Sequence, residues 1–559
     1  MAESRPPIDR GAAALGLLLV LLANARYLTG LPEVLDPMMA MDPYYIDMAQ
    51  RPAAEIVRAD PSWGPLYALF LKPFVIWLGD PLRVYFAATD ALSVGMSLAI
   101  YLYLLLLTRR AAPAAAAALT FMISAWNAPL DSRVSGFALL VVVAGLALGE
   151  IVPHGARRMS VAALAVFLAS YARPELYPGA LVFGAAALWL SYREARAGDA
   201  RSWLWPIAVS VAIVVAAWNG TPALGQADGL DRFLAAFREH FAWNWNLWHQ
   251  MNAPMPTIWE REFGTADTVL RAALTNPSVV LRHVADNLLG SLTLIARSSF
   301  DHFPLMAPAT SPGLTGVENL LVATAGFGLI AAALARRDSR RAFCERYGYA
   351  LFQYAALVAV CTASAAVIFP VPRYLIVPCV LAMLTAALAA SVVVPTRSQL
   401  TRGARVLIAI ACLAAVPRPF VVPSTYAVAG PPFTGRVAVM RRVTDTVRFL
   451  RSLQLPAPIH VLTTTDGFGA LLGNGFTEVK LWLKGAQPLD AYMRAHDVGV
   501  VVNLEGGRYS FGVDDPMWPQ FQTDPVSAGF TRVVVPNHEA VGMFVRNDLL
   551  ERAQRDAEQ

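Results

Sequence analysis

Charge is scarce in this sequence. Only 15% of the 559 residues are Asp, Glu, Lys or Arg, while 56% are hydrophobic. Soluble domains carry about 25% charged residues, so a soluble protein is excluded and a polytopic helical membrane protein is expected. Cysteine is scarce as well. Of Cys344, Cys361, Cys379 and Cys412, three lie inside apolar runs and one in an arginine-rich loop. That pattern supports neither a disulfide framework nor a metal-ligand spacing; small buried apolar residues are the expected role. A secretory signal is also missing. The apolar run 11–28 ends in Asn24, Arg26 and Tyr27 without a small-residue cleavage site, so it reads as a retained span. No internal repeat and no nucleic-acid-binding pattern is present.

A spanning helix needs roughly 20 mostly apolar residues. The candidates are 11–28, 82–107, 112–127, 134–152, 160–172, 177–192, 203–218, 314–335, 348–369, 372–394 and 404–422, about eleven spans. Cytoplasmic loops close to span ends are enriched in Lys and Arg. With the N-terminus inside, the loops 108–111, 153–159, 193–202, 336–347 and 395–405 collect most of the loop arginines, and the short outer loops keep single ones, Arg133, Arg173 and Arg373. This bookkeeping holds only if 65–79, PLYALFLKPFVIWLG, does not cross. It is short, opens on Pro65 and carries Lys72–Pro73 mid-run, which suits a re-entrant or surface helix. The C-terminus is then outside.

Two further parts are soluble in character. Residues 219–313 form a long outer loop with amphipathic segments near 228–248 and 266–295 and an aromatic cluster, WNWNLWHQ, at 243–250. Residues 431–559 read as an outer α/β domain, with strands expected at 460–465, 498–504 and 532–536 and helices at 438–453 and 488–496. The membrane domain is 1–422, and its first outer loop is 29–81.

Within that first loop, Leu35–Gly64 is the most acidic short segment. Asp36, Asp42, Asp47, Glu55 and Asp60 face only Arg51 and Arg58, with Tyr44 and Tyr45 between the central aspartates. Asp131 (in NAPLDSR), Arg173 and Glu175 (in YARPELYP), and Arg373 and Tyr374 (in FPVPRYL) fall in other outer turns. Ionisable groups at membrane depth are costly and mark functional sites. A carboxylate at the membrane edge suits a general base, and an arginine suits a phosphate leaving group. Asp42 and Asp47 are the candidate bases; Asp131, Arg173, Glu175, Arg373, Tyr374 and Tyr45 are candidate substrate contacts. Each has a plainer alternative: Asp42 starting a turn, Asp47 on a solvated helix face, Asp131 in a structural ion pair, and the arginines snorkelling to headgroups. His240, His249, His283 and His302 are irregularly spaced, which does not suit a metal. The glycines of TTTDGFGALLGNG match neither phosphate-loop pattern and read as a strand-to-helix turn.

With these residues in place, the membrane portion 11–422 resembles the GT-C superfamily of membrane glycosyltransferases, which includes protein O-mannosyltransferases and lipid A aminoarabinose transferases. The likeness rests on Asp42 and Asp47 in the first outer loop, WGPLYALF at 63–70, Asp131, ARPE at 172–175, PRY at 372–374 and an outer C-terminal domain. The sequence departs from that pattern at Gly64–Pro65, where the family has paired prolines, and at Pro43, which follows Asp42 in place of a second acid. The resemblance implies inverting transfer of a sugar from a polyprenyl-phosphate donor, outside the cytoplasmic membrane, to a glycan, protein or lipid acceptor. Asp42 would be the base, with Arg173 and Arg373 on the lipid phosphate. No cofactor is expected, and a divalent metal is not indicated. The other function classes are a transporter or flippase of lipid-linked glycans and a non-catalytic envelope assembly protein.

The topology has a direct test. A cysteine placed in 431–559 should react with an impermeant thiol reagent in intact cells; reaction only after lysis would put the span count off by one.

Overall fold

The computed structural model describes residues 7–37, 42–58, 64–129, 133–152, 155–218, 227–301, 312–394, 401–416, 441–463, 467–481, 487–504 and 517–558. The chain divides into two compact units. One comprises Met1–Leu28, Arg58–Tyr67 and Asp90–Pro419; the other comprises Thr29–Val57, Ala68–Thr89 and Phe420–Gln559.

The first unit is a bundle of apolar helices. All eleven expected spans fall on helices, among them Arg10–Leu28, Pro81–Thr108, Arg133–Ile151, Gly155–Ser170, Tyr177–Arg196, Arg337–Val367 and Pro372–Val393. Six described helices are long and apolar enough to cross a membrane, and shorter apolar ones accompany them. One of the six, Pro277–Ser298, lies in the segment expected as an outer loop. Helix Leu66–Leu78 has only 13 residues with Pro73 inside, about 20 Å of rise, which is too short to cross.

Small residues let the helices approach closely. Gly145 packs so tightly on Ala165 that a Cβ there would collide with it, the close approach expected of membrane helices. The arginine-rich turns gather at one end of the bundle. Arg110 donates to the Ser391 carbonyl at 2.6 Å, Arg346 to the Thr108 carbonyl at 3.1 Å, and Arg158 forms a buried ion pair with Glu150. Nearby, the Ala156 N–H donates to Glu194 Oε1 at 3.1 Å.

The second unit holds a five-stranded sheet: β1 (Ile459–Thr463), β2 (Phe476–Lys480), β3 (Val498–Asn503), β4 (Phe530–Val533) and β5 (Gly542–Arg546), in the order β2-β1-β3-β5-β4. The β2-β1-β3 half is parallel and the β3-β5-β4 half antiparallel. β3 is central and buried along its whole length, which explains its unbroken apolar run VGVVV. Trp518, Phe521, Phe530 and Phe544 pack with Leu462 and Val501 in the core.

The acidic first loop belongs to this unit, and one of its acids has a structural task. Asp36 accepts the backbone N–H groups of Val443 and Thr444, both at 2.9 Å. These are the unpaired donors at the start of helix Arg442–Ser452, so Asp36 caps a helix more than 400 residues away in sequence. The Asp36 backbone carbonyl in turn accepts from the Tyr85 hydroxyl at 3.0 Å. Burial pushes the Asp36 carboxyl up to about 7, only partly opposed by its hydrogen bonds to Thr444 and Val443. The folded state therefore holds this proton more tightly than the unfolded chain. The group's contribution to stability is complete below its ordinary value of 3.8 and is lost as pH rises to about 7. Asp36→Asn keeps a capping oxygen and should remove that component, leaving the thermal transition of this unit less dependent on pH across this window. Identical pH profiles for the two proteins would refute the assignment.

Candidate functional site

At the end of the bundle opposite the arginine-rich turns, the ARPE and PRY turns meet. Arg173 Nη2 donates to the Arg373 carbonyl at 2.6 Å, and Arg173 Nε lies 2.9 Å from Glu175 Oε1. Both guanidinium groups sit over the Tyr374 ring, Arg173 at 5.0 Å and Arg373 at 5.3 Å from its centre. Ser135, Glu175, Cys361 and Tyr374 line the small cavity shared by the two arginines. Arg173 and Glu175 are largely buried. Arg373 has no carboxylate within 4.0 Å among the described residues, and its buried Nε has no hydrogen-bond partner. Among the described residues, then, two guanidinium groups lie over one aromatic face with a single carboxylate, paired to Arg173, beside them, an excess of positive charge in a partly desolvated place.

Gly64 brings the segment before helix Leu66–Leu78 against the ARPE turn. Its φ is +67°, and a Cβ at this position would strike the Tyr171 carbonyl oxygen beside the ARPE turn. Only glycine combines this left-handed backbone with so close an approach. Trp63 lies outside the described residues.

The turn carrying Arg373 is held by side chains from the 219–313 segment. Helix Arg337–Val367 ends at this turn, leaving its last carbonyls without intrahelical partners. Asn287 Nδ2 donates to the Ala366 and Ile368 carbonyls at 3.1 and 3.2 Å, and His283 Nε2 lies 3.1 Å from the Val367 carbonyl. Asn244 Nδ2 reaches His283 Nδ1 at 3.0 Å and Asn287 Oδ1 at 2.8 Å, and Asn287 Nδ2 lies 3.0 Å from His283 Nε2. Phe369 then stacks on His240 with ring centres 5.2 Å apart and meets the edge of Trp243. The sequence reading missed these roles. A signal was present in Asn244, His283 and Asn287, polar residues on otherwise amphipathic helices.

The aromatic cluster is divided between tasks. Trp245 is in the core with Phe237, Phe241, Trp259 and Phe263, Trp248 donates to Asp286 at 2.8 Å, and Trp243 stays half-exposed against Phe369. The histidines do not converge. Among the described residues no group of three or more His, Cys, Asp or Glu side chains gathers to hold a metal; His302 lies outside them.

The candidate bases are in the other unit. Helix Asp42–Gln50 begins at Asp42, which is 2% exposed. Asp47 is half-exposed and pairs with Arg51 at 3.0 Å, one turn on. Tyr45 is buried and meets Tyr44 edge to face. Lys72 donates to the Gln50 and Arg51 carbonyls, tying helix Leu66–Leu78 to this loop. Asp131 lies outside the described residues. The glycine-rich turn after β1 is filled from within: the N–H groups of Gly467 and Gly469 donate to the Glu478 carboxylate, so those donors are already committed.

No family model matches the sequence, and no curated protein matches it. Among solved structures, the archaeal oligosaccharyltransferase AglB from Archaeoglobus fulgidus, in complex with an inhibitory peptide and a dolichol-phosphate, aligns with a TM-score of 0.42 and 14% identity over 88% of this chain and 69% of that one. A likeness that loose does not decide the family or the function.

The buried network makes a direct expectation. Asn287→Ala leaves the Ala366 and Ile368 carbonyls and one Asn244 donor without partners, which should cost about 1–3 kcal/mol. Thermal unfolding in detergent checks this, and a change of a few tenths would show the network to be dispensable.

Proposed function

We propose that the chain is a membrane glycosyltransferase that moves a sugar from a polyprenyl-phosphate donor to an acceptor on the outer face of the cytoplasmic membrane. The observation that carries this reading is the charge imbalance around Tyr374: Arg173 and Arg373 with only Glu175 beside them among the described residues. A buried excess of positive charge is stabilised by an anion, and a guanidinium matches a phosphate through two parallel N–H bonds. A lipid phosphate brings such an anion to the membrane edge.

The reaction is a direct displacement. The acceptor hydroxyl oxygen attacks the anomeric carbon as the bond to the phosphate oxygen breaks. The bonding pair leaves on polyprenyl phosphate, and the hydroxyl proton passes to a carboxylate. Attack from the face opposite the leaving group inverts the anomeric centre. Arg173 and Arg373 stabilise the charge that develops on the phosphate, while Glu175 and Tyr374 hold their planes. Asp42 is the preferred base, because Asp47 is already engaged with Arg51 and half in solvent. The acceptor is a glycan, a protein or a lipid, and the second unit and the 219–313 segment select it.

Purified protein incubated with a polyprenyl-phosphate sugar should release polyprenyl phosphate. Asp42→Asn should lower kcat by about 10²-fold or more. Arg373→Lys keeps the charge but loses the fork, and should fall between wild type and Arg373→Ala. Full activity in Asp42→Asn, Asp47→Asn and Asp131→Asn, each made alone, would overturn the base assignment, and a wild-type protein inert towards a panel of such donors would overturn the function.

A further inference from the structure

Helix Pro277–Ser298 has the length and composition of a membrane span, yet its contacts run across the end of the bundle. His283 and Asn287 meet the carbonyls of 366–368. A Cβ on Gly290 would lie 2.9 Å from Pro370. Further on, the Ser298 carbonyl accepts from Trp126 Nε1 at 2.6 Å, and the Asp301 carbonyl accepts from the Ala125 N–H at 3.0 Å. From His283 to Ser298 is about 22 Å of helix, and every one of these partners belongs to a turn at the same end as Arg173 and Arg373. A helix crossing the membrane would have left those turns behind.

At about 100° per residue, its surface resolves into three faces. Val280, His283, Asn287 and Ser291 form the buried face, packed on the 366–368 turn and on the aromatic cluster of helices Ala227–His249 and Met255–Phe263. Next around the helix come Leu281, Leu288, Leu292 and Leu289, from 41% to 67% exposed. Arg282, Asp286, Thr293 and Arg297, all exposed, complete the circle. The preceding helix, Val269–Thr275, adds Leu270 and Leu274, 70% and 75% exposed. Protein, hydrocarbon and water are the three surroundings that meet at the rim of a membrane bundle. An in-plane helix on that rim needs one face for each. In a spanning helix the Arg282–Arg297 face would lie in hydrocarbon at a cost of several kcal/mol.

We propose that helices Val269–Thr275 and Pro277–Ser298 lie in the membrane surface with their leucine face inserted among the lipids of the leaflet at the Arg373 end. Asn287 stands on the same helix and fixes the turn before Arg373, so the depth of this helix sets Arg373 at headgroup level. The inference concerns lipid contact and holds whether or not the chain transfers sugars.

The test uses the full chain in lipid nanodiscs with Cys344→Ser and Cys412→Ser as background. Nitroxide labels are placed singly through Leu281→Cys, Leu288→Cys, Leu292→Cys, Arg282→Cys and Thr293→Cys, all exposed positions. The ratio of oxygen to nickel-chelate relaxation should be at least about fivefold higher at the three leucine sites than at Arg282 and Thr293, with the three leucine sites at one shallow depth. Leucine sites open to the nickel chelate would place the face in water. Leucine sites shielded from both reagents would mean a protein partner covers it, and a depth that increases steadily from 281 to 292 would mean the helix crosses. Any of these three results overturns the proposal.

Discussion

Three consecutive backbone carbonyls, those of Ala366, Val367 and Ile368, must find donors where a long apolar helix stops. In water they would cost nothing; buried in a helix bundle an unpaired group carries its desolvation cost. The chain closes them with Asn287 and His283, themselves ordered by Asn244. The turn that follows is fixed as a result, Phe369 is pinned by His240 and Trp243, and Arg373 leaves the turn in a set direction. The Arg173 side chain then binds the Arg373 carbonyl, so the second guanidinium depends on the placement of the first. Loss of the network acts on both cations together.

The same low dielectric that makes those carbonyls demanding gives the two arginines their value. A guanidinium shared between one carboxylate and one aromatic ring would be ordinary at a solvated surface. With Arg173 and Glu175 largely buried the remaining positive charge acts over a short range with little screening, which suits recognition of an anionic headgroup more than long-range steering.

Helices were legible from composition alone. Runs such as 82–107 and 372–394 are too apolar and too long for anything else, and the crowding of arginine into alternate turns predicted which turns share an end; the Arg110–Ser391 and Arg346–Thr108 contacts agree. The strands β1 and β3 announced themselves as β-branched runs, whereas β2 (FTEVK) and β5 (GMFVR) were missed because each is short and interrupted by charge or glycine. The meeting of ARPE with PRY came from their alternation along the chain; the Asn–His–Asn network did not, because partners 39 to 84 residues apart leave no periodic trace. Helix Pro277–Ser298 shows the limit of hydropathy: its residues average to a span, and only their order around the axis separates leucine from arginine. The glycine-rich stretch read as a strand-to-helix turn, and helix Phe468–Leu472 follows β1 there; its closure by Glu478, nine to eleven positions later, was not legible.

Asp36 joins a segment before most of the predicted spans to a helix that follows them all. The donors it satisfies, on Val443 and Thr444, emerge from the ribosome after every predicted span has been made. The early loop is therefore made more than 400 residues before the helix it caps, and that helix gains its cap only after the predicted spans have been synthesised. A fragment begun at residue 441 would lack that cap and the Tyr85 contact behind it, so the α/β region, self-contained as its sheet is, is completed by residues from the far side of the predicted spans.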